Sequence, residues 1–570
     1  MLTITLLYMI VPFILCAIYC YLFRSSKKMV IKSLIWLLIF LVVRAIEVYF
    51  MLPSRNLLSI TIGNAFWGLI YGALCYPYYT RKSSSTNPIY KIRKKLIPFI
   101  SIVGVLFVVG LIGEIHSVVS VKPTWQSISK EYSKSSEAPT FKRNETPVAL
   151  TPTTVLNRVH KAASDIPNSQ YYDVSDSVQA QFYKGKPVYI IPVEYSGFWA
   201  MNKAHEVPGY FIIDATSQNA SPKFIKHSYE YATSAYFGKD ASRQIYRQNP
   251  SWLTMSDPQL EIDDHGTPYW VQTVYKSEAF SHKINYQKLH VVVMNAKTGK
   301  SKTYSLKNLP KFVDEGITSD AAANLNKTFG SDKHGFLNRY FVKTGVIKPT
   351  NNGPEDGVTS IFNRDGSISY FTDFTNPSNK SDSAMGYSMI NARTGKITYY
   401  KAQGIMDSTG AKHNANQNYK AQQWKAKMPI LYNINGRPTW VMTVLDKTDA
   451  VRGYYYLDAQ DQSIYGTGSS PTSALDDFRQ SLVNNGASVK NTAGAKSKKI
   501  SGTVDRSVVV ANKNKVMFTL QGSNTVYTVN TNDYDKANLV RPGDNLQFKA
   551  SVVKGQSIGN VESFKNNSLK

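Results

Sequence analysis

Beyond residue 75 the chain has no cysteine. Its three thiols, Cys16, Cys20 and Cys75, all lie in the apolar N-terminal region. No disulfide therefore staples residues 76–570, and no thiol nucleophile is available there. Acidic residues are also few: 39 Asp and Glu face 66 Lys and Arg, a net charge of +27. Such an excess favours anionic partners such as lipid head groups or acidic polymers. Catalytic signatures are missing as well. There is no His-Glu-x-x-His zinc motif, no Gly-x-Ser-x-Gly elbow and no Walker loop. Asp263-Asp264-His265 and Asn363-Arg364-Asp365-Gly366 carry acids in short stretches beside glycine, and turn formation accounts for both. The expectation is a non-enzyme with no catalytic residue, no metal site and no cofactor.

What the N-terminus does have is apolar length. Four stretches, at about 2–23, 29–52, 57–79 and 96–116, reach the ~20 residues that a bilayer crossing needs. They predict a four-helix transmembrane domain over residues 1–119. In the first stretch the positive charges follow the apolar run, so it reads as a retained helix and not as a signal peptide. Arg24, Lys27 and Lys28 occupy the first loop, and Arg81, Lys82, Lys91, Arg93, Lys94 and Lys95 the third, while the second has only Arg55. The bias places loops one and three in the cytoplasm. The N-terminus and everything after the fourth span are then outside a cell membrane. A large outer region without disulfides fits a Gram-positive surface.

Within the second stretch Arg44 and Glu47 lie three residues apart, on one helix face. Ionisable groups in a bilayer face protein or water. Two readings follow: a transport or signalling site, or a local ion pair near the outer interface that packs the bundle. The nearness of Glu47 to the end of the span favours the second. Asn64, Glu114 and His116 are candidates for a shared polar cluster.

Residues 120–152 are rich in Ser, Lys, Glu, Pro and Thr and poor in large apolar side chains. They read as a stalk that holds the outer part away from the membrane. Asn144-Glu145-Thr146 matches a glycosylation sequon, which is incidental in a bacterial protein.

Residues 153–480 repeat one pattern four times. A turn opens each repeat, at Gly185-Lys186-Pro187, Gly266-Thr267-Pro268, Gly366-Ser367-Ile368 and Gly436-Arg437-Pro438. Strand-like runs follow: VYIIPVEY, YWVQTVYK, ISYFTDF and TWVMTVLD. After a variable loop comes an apolar run ending in Asp214-Ala215, Asn295-Ala296, Asn391-Ala392 or Asp458-Ala459. Asp or Asn starts a turn by bonding its own backbone. Gly299 and Gly395 supply a left-handed residue to the second and third repeats, and Asn219 stands near that place in the first. The segment from His227 has helical spacing. Phe237-Gly238-Lys239-Asp240 matches Phe329-Gly330-Ser331-Asp332. The unit is thus helix, strand, turn, strand, loop, strand, turn, strand. The uneven spacing of the openings predicts separate small α+β modules with antiparallel sheets.

The hairpins VVVMNAKTGKSKTY from Val291 and YSMINARTGKITYY from Tyr387 resemble those of the PepSY and YpeB family of modules. The resemblance implies small extracytoplasmic α+β units associated with regulating peptidases and with sensing at the envelope. It supplies no catalytic residue. Residues 481–499 read as a Gly/Ser/Lys-rich linker. Residues 500–570 read as five short strands with an Arg541-Pro542-Gly543-Asp544 turn, and resemble a small OB-like barrel. That resemblance implies an oligosaccharide or polymer ligand, and the alternative reading is a plain β-module without one. Phe198, Trp199, Trp252, Trp270, Trp424 and Trp440 are candidates for a groove, although core packing is the commoner fate of such residues.

Together these features predict a membrane-anchored, non-enzymatic surface protein whose repeats bind peptide, protein or anionic wall polymer. Membrane lipid is a partner and nucleic acid is not. A second reading is an envelope sensor or a regulator of an extracellular peptidase, acting through the transmembrane helices. A third is an extracellular hydrolase without a recognisable motif. Nothing in the sequence sets an oligomeric state.

Overall fold

The structure is a computed structural model. It describes residues 2–75, 88–133, 149–277, 280–350, 357–377, 382–402, 404–434, 436–485, 495–510, 514–553 and 558–569. The helices at the N-terminus are α1 (Leu2–Leu7), α2 (Ile10–Leu22), α3 (Lys27–Met51), α4 (Leu57–Cys75), α5 (Pro88–Val119) and the short α6 (Val121–Gln126). Three segments, Lys27–Met51, Leu57–Cys75 and Lys95–Val119, are long and apolar enough to cross a membrane. Residues 76–79 of the expected third span, with Arg81 and Lys82, lie outside the described residues, as do the side chains of Lys91, Arg93 and Lys94.

The expected span 2–23 is not one helix. It breaks at Tyr8-Met9 and leaves 13 residues in α2, about 20 Å of rise against a hydrocarbon core of about 30 Å. Pro12 explains the break. It has no N–H to offer the Tyr8 carbonyl, and its ring crowds that carbonyl. Asn64 on α4 bridges the gap, with Nδ2 donating to Leu7 O at 3.0 Å and Oδ1 accepting from Val11 N at 3.1 Å.

The expected stalk is partly built into the fold. Trp125 of α6 donates its Nε1–H to Phe329 O at 3.0 Å. Strand β1 (Lys130–Tyr132) adds in parallel to a repeat sheet, opposite Ile397–Tyr399. This segment binds the repeats close to the end of α5 where a spacer was expected. Residues 134–148, including Asn144, lie outside the described residues.

Four repeat units follow. Unit one contains α7 (Pro152–Lys161), β2 (Tyr172–Val174), β3 (Gln179–Tyr183), β4 (Lys186–Tyr195), α8 (Phe198–Ala204), β5 (Tyr210–Asp214) and β6 (Lys223–Ile225). Unit two contains α9 (Ala241–Gln248), β7 (Leu253–Thr254), β8 (Gln259–Ile262), β9 (Pro268–Tyr275), β10 (His290–Asn295) and β11 (Ser301–Ser305). Unit three contains α10 (Ser319–Ser331), β12 (Lys348–Pro349), β13 (Thr359–Phe362), β14 (Ile368–Thr375), β15 (Ala384–Asn391) and β16 (Ile397–Lys401). Unit four contains α11 (Ser408–Asn418), β17 (Lys425–Ile434), β18 (Arg437–Leu445), β19 (Val451–Asp458) and β20 (Tyr465–Gly468).

Each unit has one antiparallel meander, β3-β4-β5-β6 and its three counterparts. In units one to three a short strand (β2, β7 or β12) also pairs with the far end of the central strand. Unit four fuses the two pieces. The register of β17 shifts between Lys427 and Ile430, so Lys425–Lys427 take the place of the short strand.

The opening glycines Gly185, Gly266, Gly366 and Gly436 have φ of 75°, 80°, 80° and 83°, values that a residue without Cβ takes most easily. Pro187, Pro268 and Pro438 then lie at or next to the start of the central strand. Asp214, Asn295, Asn391 and Asp458 each accept backbone N–H groups two or three residues on. Gly299 and Gly395 take φ of 67° and 70°, whereas Asn219 does not take a positive φ.

The alanine after each Asp or Asn is the meeting point of the unit. Ala215, Ala296, Ala392 and Ala459 are buried. Their N–H groups donate to Pro187, Pro268, Ile368 and Pro438 on the central strands. Their carbonyls accept from Leu150, Tyr231, Ile317 and Met406, on the segments leading to α7, α9, α10 and α11.

The units are not separate modules, because one hydrophobic core runs from Ile128 to Leu482 through all four. Central-strand side chains of one unit hold the approach to the helix of the next. Glu194 accepts Ser234 N at 2.9 Å, Thr273 accepts Thr318 N at 3.1 Å and Asp373 accepts Ser408 N at 2.9 Å. Unit four returns to unit one, where Thr154 and Asn157 on α7 donate to Asp449 O and Thr448 O.

The helical spacing from His227 yields α-helix only at Ala241–Gln248. The preceding stretch is held by bridges at Val207–Tyr229 and Ala232–Asp240, and Asp240 caps α9 by accepting Arg243 N at 2.6 Å. Phe237–Asp240 therefore precede a helix while Phe329–Asp332 end one, so those tetrapeptides are not equivalents.

Helix α12 (Pro471–Asn484) packs on β20 and runs into the expected linker. Strands β21 (Ala495–Val510), β22 (Lys515–Leu520), β23 (Val526–Asn530), β24 (Asn545–Val553) and β25 (Ile558–Asn566) close as a barrel in the order β21-β22-β23-β25-β24. The barrel has its own core, which includes Val504, Phe518, Val529 and Phe548.

Two predictions follow from this packing. Ala296→Leu or Ala392→Leu should cost about 1–3 kcal/mol by overpacking, read as a lower urea midpoint. The second concerns Glu261, which is fully buried where units one, two and three meet and accepts Asp314 N at 2.7 Å and Glu315 N at 3.3 Å. Burial, then the Asp314 charge, pushes its carboxyl up from 4.5 to about 8; burial pushes Asp314 from 3.8 to about 6. An acid raised in the fold stabilises fully below its ordinary value and loses that stability as pH rises through the folded value. Stability should therefore fall from about pH 4 to about pH 8, by a few kcal/mol at ~1.4 per pKa unit. Urea midpoints across that range should show the fall, and Asp314→Asn should flatten it.

Candidate functional site

The site with the most converging polar chemistry is the seam between the helical bundle and the repeats. Both contacts across it come from unit two. The first is Tyr246 on α9. The buried face of this helix carries Ala241, Gln244, Ile245 and Tyr246, and Tyr246 completes a small apolar cluster with Ile4, Tyr8 and Val48 of the bundle. Its hydroxyl donates to Pro53 O at 2.7 Å. Arg55, the single cation of the α3–α4 loop, donates to Tyr246 O at 2.5 Å and to Asn249 O at 2.9 Å. A cation is favourable at those carbonyls because a helix C-terminus is electronegative. Its guanidinium also lies 3.9 Å from the Tyr246 ring centre. Beside it, Arg243 donates Nε–H to Tyr49 O at 2.9 Å and pairs with Asp240 at 2.9 Å.

The second contact is the stretch from Phe280 to Lys283 between β9 and β10. Phe280 lies over Gly113 of α5, where a Cβ would come within 2.8 Å of the ring. Asn56 caps α4 by accepting Ser59 N at 2.7 Å, and its Nδ2 donates to Ser281 O at 3.1 Å. His282 stands between Asn56, at 2.8 Å, and Glu114 of α5, at 2.7 Å. Its N–H also reaches the Ser117 hydroxyl at 3.1 Å.

Below Tyr246 lies the pair of Arg44 and Glu47 on α3. Arg44 is 2% exposed and bonds Glu47. Its guanidinium sits 4.8 Å from the Tyr8 ring and 5.5 Å from the Trp67 ring. Tyr8 in turn donates to Ser54 O. The proposed polar cluster is not formed as one group. Asn64 bridges the break between α1 and α2, Glu114 meets His282, and His116 meets Lys283 at 3.1 Å.

The candidate aromatics are likewise dispersed. Trp270 and Trp440 are buried, and donate their Nε1–H to Tyr231 O at 2.7 Å and Met406 O at 3.1 Å. Trp252 stacks near His290 and Trp424 near Tyr419. Only Phe198 and Trp199 lie together, with ring centres 5.2 Å apart. Asp263 and Asp365 accept N–H groups of their own turns. Among the described residues no group of three His, Cys, Asp or Glu is placed to hold a metal.

Tyr246, Asn56 and His282 were not marked by the sequence. Tyr246 reads as an ordinary member of an apolar helix face, and nothing local pairs His282 with residues 168 or more positions away. Tyr246→Ala should cost about 3–5 kcal/mol, and Tyr246→Phe about 0.5–1.5 kcal/mol. Hydrogen exchange of residues 53–56 in the full-length protein should accelerate in that order.

No family model matches the chain. No curated protein matches it. Among solved structures it is similar to the Bacillus megaterium YpeB C-terminal domain, with 14% identity and a TM-score of 0.12, over 43% of this chain and 96% of that one. It is also similar to a levansucrase variant of B. megaterium (9% identity, TM-score 0.17, 76% and 98% covered) and to the polysaccharide lyase Uly1 (11%, 0.14, 69% and 81%). Likenesses with TM-scores this low carry no argument about activity.

Proposed function

We propose that the chain is a membrane-anchored, non-enzymatic protein of a Gram-positive surface, with PepSY-like repeats and an OB-like barrel offered outside to peptide, protein or anionic wall polymer. The observation that carries this reading is the position of the seam. It gathers the C-terminal end of α3, the N-terminal end of α4 and the C-terminal end of α5. Lys27, Lys28 and Lys95 stand at the opposite ends of α3 and of the apolar part of α5. By the bias of Lys and Arg toward the cytoplasm, the repeats lie outside. The OB-like assignment is supported by the five-strand order and by the parallel pairing of β23 with β25. The PepSY-like assignment is supported by the recurrence of a helix followed by a four-stranded meander.

A second reading, an envelope sensor or peptidase regulator, is favoured by one observation. Tyr246 of unit two rests on Tyr8, and Tyr8 rests on Arg44. A displacement of α9 would reach the intramembrane pair through two side chains.

Full-length protein in nanodiscs should be retained on purified cell walls at low salt and released as salt rises, because exposed charges are screened within a Debye length of about 10 Å at 0.1 M. Retention that is absent or insensitive to salt removes the wall-polymer reading. For the sensor reading, replacing Arg44 and Glu47 together by Leu should alter hydrogen exchange of α9. Unchanged exchange there removes transmission through that pair.

A further inference from the structure

The lipid-facing strip of α3 continues past the bundle into a cavity. Val42, Ile46 and Phe50 are 52%, 53% and 71% exposed, and they span about 12 Å along the helix. They form one wall of a 720 Å³ cavity, and Ala235, Tyr236 and Phe237, from the segment leading to α9, line the other side. That volume lies within the range of pockets for small organic ligands, about 300–1,000 Å³.

The charged groups and the two small hydroxyls in the lining are already engaged. The hydroxyls of Thr233 and Ser234 donate to Glu194. Asp240 caps α9 and pairs with Arg243, and Arg243 donates to Tyr49 O. What the cavity offers an occupant is hydrocarbon burial.

An aromatic ledge stands over it. Phe237 holds a φ of 53°, a conformation uncommon for a bulky residue, and leaves its ring 62% exposed. Its ring centre lies 5.9 Å from that of Tyr49 and 6.0 Å from that of Phe198. Trp199, edge-to-face with Phe198, is 73% exposed. Exposed aromatic rings at the end of a spanning helix belong at the level of lipid head groups.

We propose that this cavity binds one acyl chain of a bilayer phospholipid from the leaflet at the seam, with the Trp199–Phe237 ledge at head-group level. The source follows from continuity, since the cavity wall is the lipid-facing surface of α3 itself and the chain enters sideways without crossing water. The site rests on the reading of α3 as a membrane span and goes beyond the function proposed above. Because Thr233 to Phe237 lead directly into α9, the bound chain also lies against the segment that positions Tyr246.

The test uses full-length protein in nanodiscs doped with a phospholipid carrying a diazirine in one acyl chain. After irradiation, label on residues 42–50 and 233–237 should exceed that on the exposed apolar face of α5 (Ile102, Val105 and Val109) by about tenfold. Ala45→Trp places a large side chain into the cavity from α3 and should abolish the excess while leaving α5 labelled. Phe237→Ser opens the ledge and should lower it as well. Equal labelling of cavity and α5 in the unaltered protein overturns the proposal, and so does an excess that survives both substitutions. Absence of label from α5 and cavity alike overturns the membrane reading together with the site.

Discussion

One buried alanine per unit joins the helix to its sheet. The N–H of Ala215, Ala296, Ala392 or Ala459 closes the hairpin onto the start of the central strand, and its carbonyl receives the chain on its way into the helix. A buried peptide group left unpaired is costly, so neither bond is dispensable. A side chain larger than methyl has no room, because the residue is enclosed by the elements it connects. The Asp or Asn before it sets the turn that brings this alanine to its place. Helix direction, meander register and turn chemistry are therefore consequences of one local arrangement, and its fourfold repetition gives four units of one shape.

The junctions between units use a different device. A central-strand acceptor (Glu194, Thr273 or Asp373) takes an N–H from the start of the next helix or the segment before it. Two of the three are buried acids, which are unfavourable as isolated charges and tolerable only because hydroxyl and amide donors surround them. A ligand that displaced α10 or α11 would take a backbone donor away from such an acceptor. The energetic penalty resists independent movement of the units. Unit two meets the bundle through Tyr246, Arg55 and His282, and unit three holds the segment that follows α5 through Trp125 and β1.

Periodicity made the apolar helices, the four hairpins and the barrel strands legible in the sequence, because each depends on residues close in the chain. What stayed hidden depends on distant partners. Pro12 was visible, yet its consequence for the first span became clear only with Asn64 bridging the break. The polar composition of residues 120–152 suggested a spacer, while the sheet edge of β16 gave β1 a partner that composition does not encode. Tyr246 looked like any core residue of an amphipathic helix, but the core it joins belongs to the bundle. The turn residues could be read because an Asx turn is complete within a few residues. The seam could not, because His282 and Glu114 are 168 positions apart.

The surroundings of Arg44 bear on which role of the Arg44–Glu47 pair needs more machinery. Its charge is answered locally by Glu47, and two aromatic faces, Tyr8 at the break between α1 and α2 and Trp67 of α4, cover the guanidinium. For packing alone this is sufficient: a buried cation with an anion and two rings holds three helices together at the level where the first span is broken. Signalling requires something further, a second arrangement of the same side chains that is close in free energy. The break at Tyr8-Met9 is where such an alternative is least costly, since Pro12 interrupts the helical ladder there and the Asn64 amide bridges Leu7 O and Val11 N across the gap. Tyr8 sits at that break and touches both Arg44 and the cluster completed by Tyr246. If the bundle responds to the repeats, Tyr8 is the side chain placed to carry that response into the break beside Pro12.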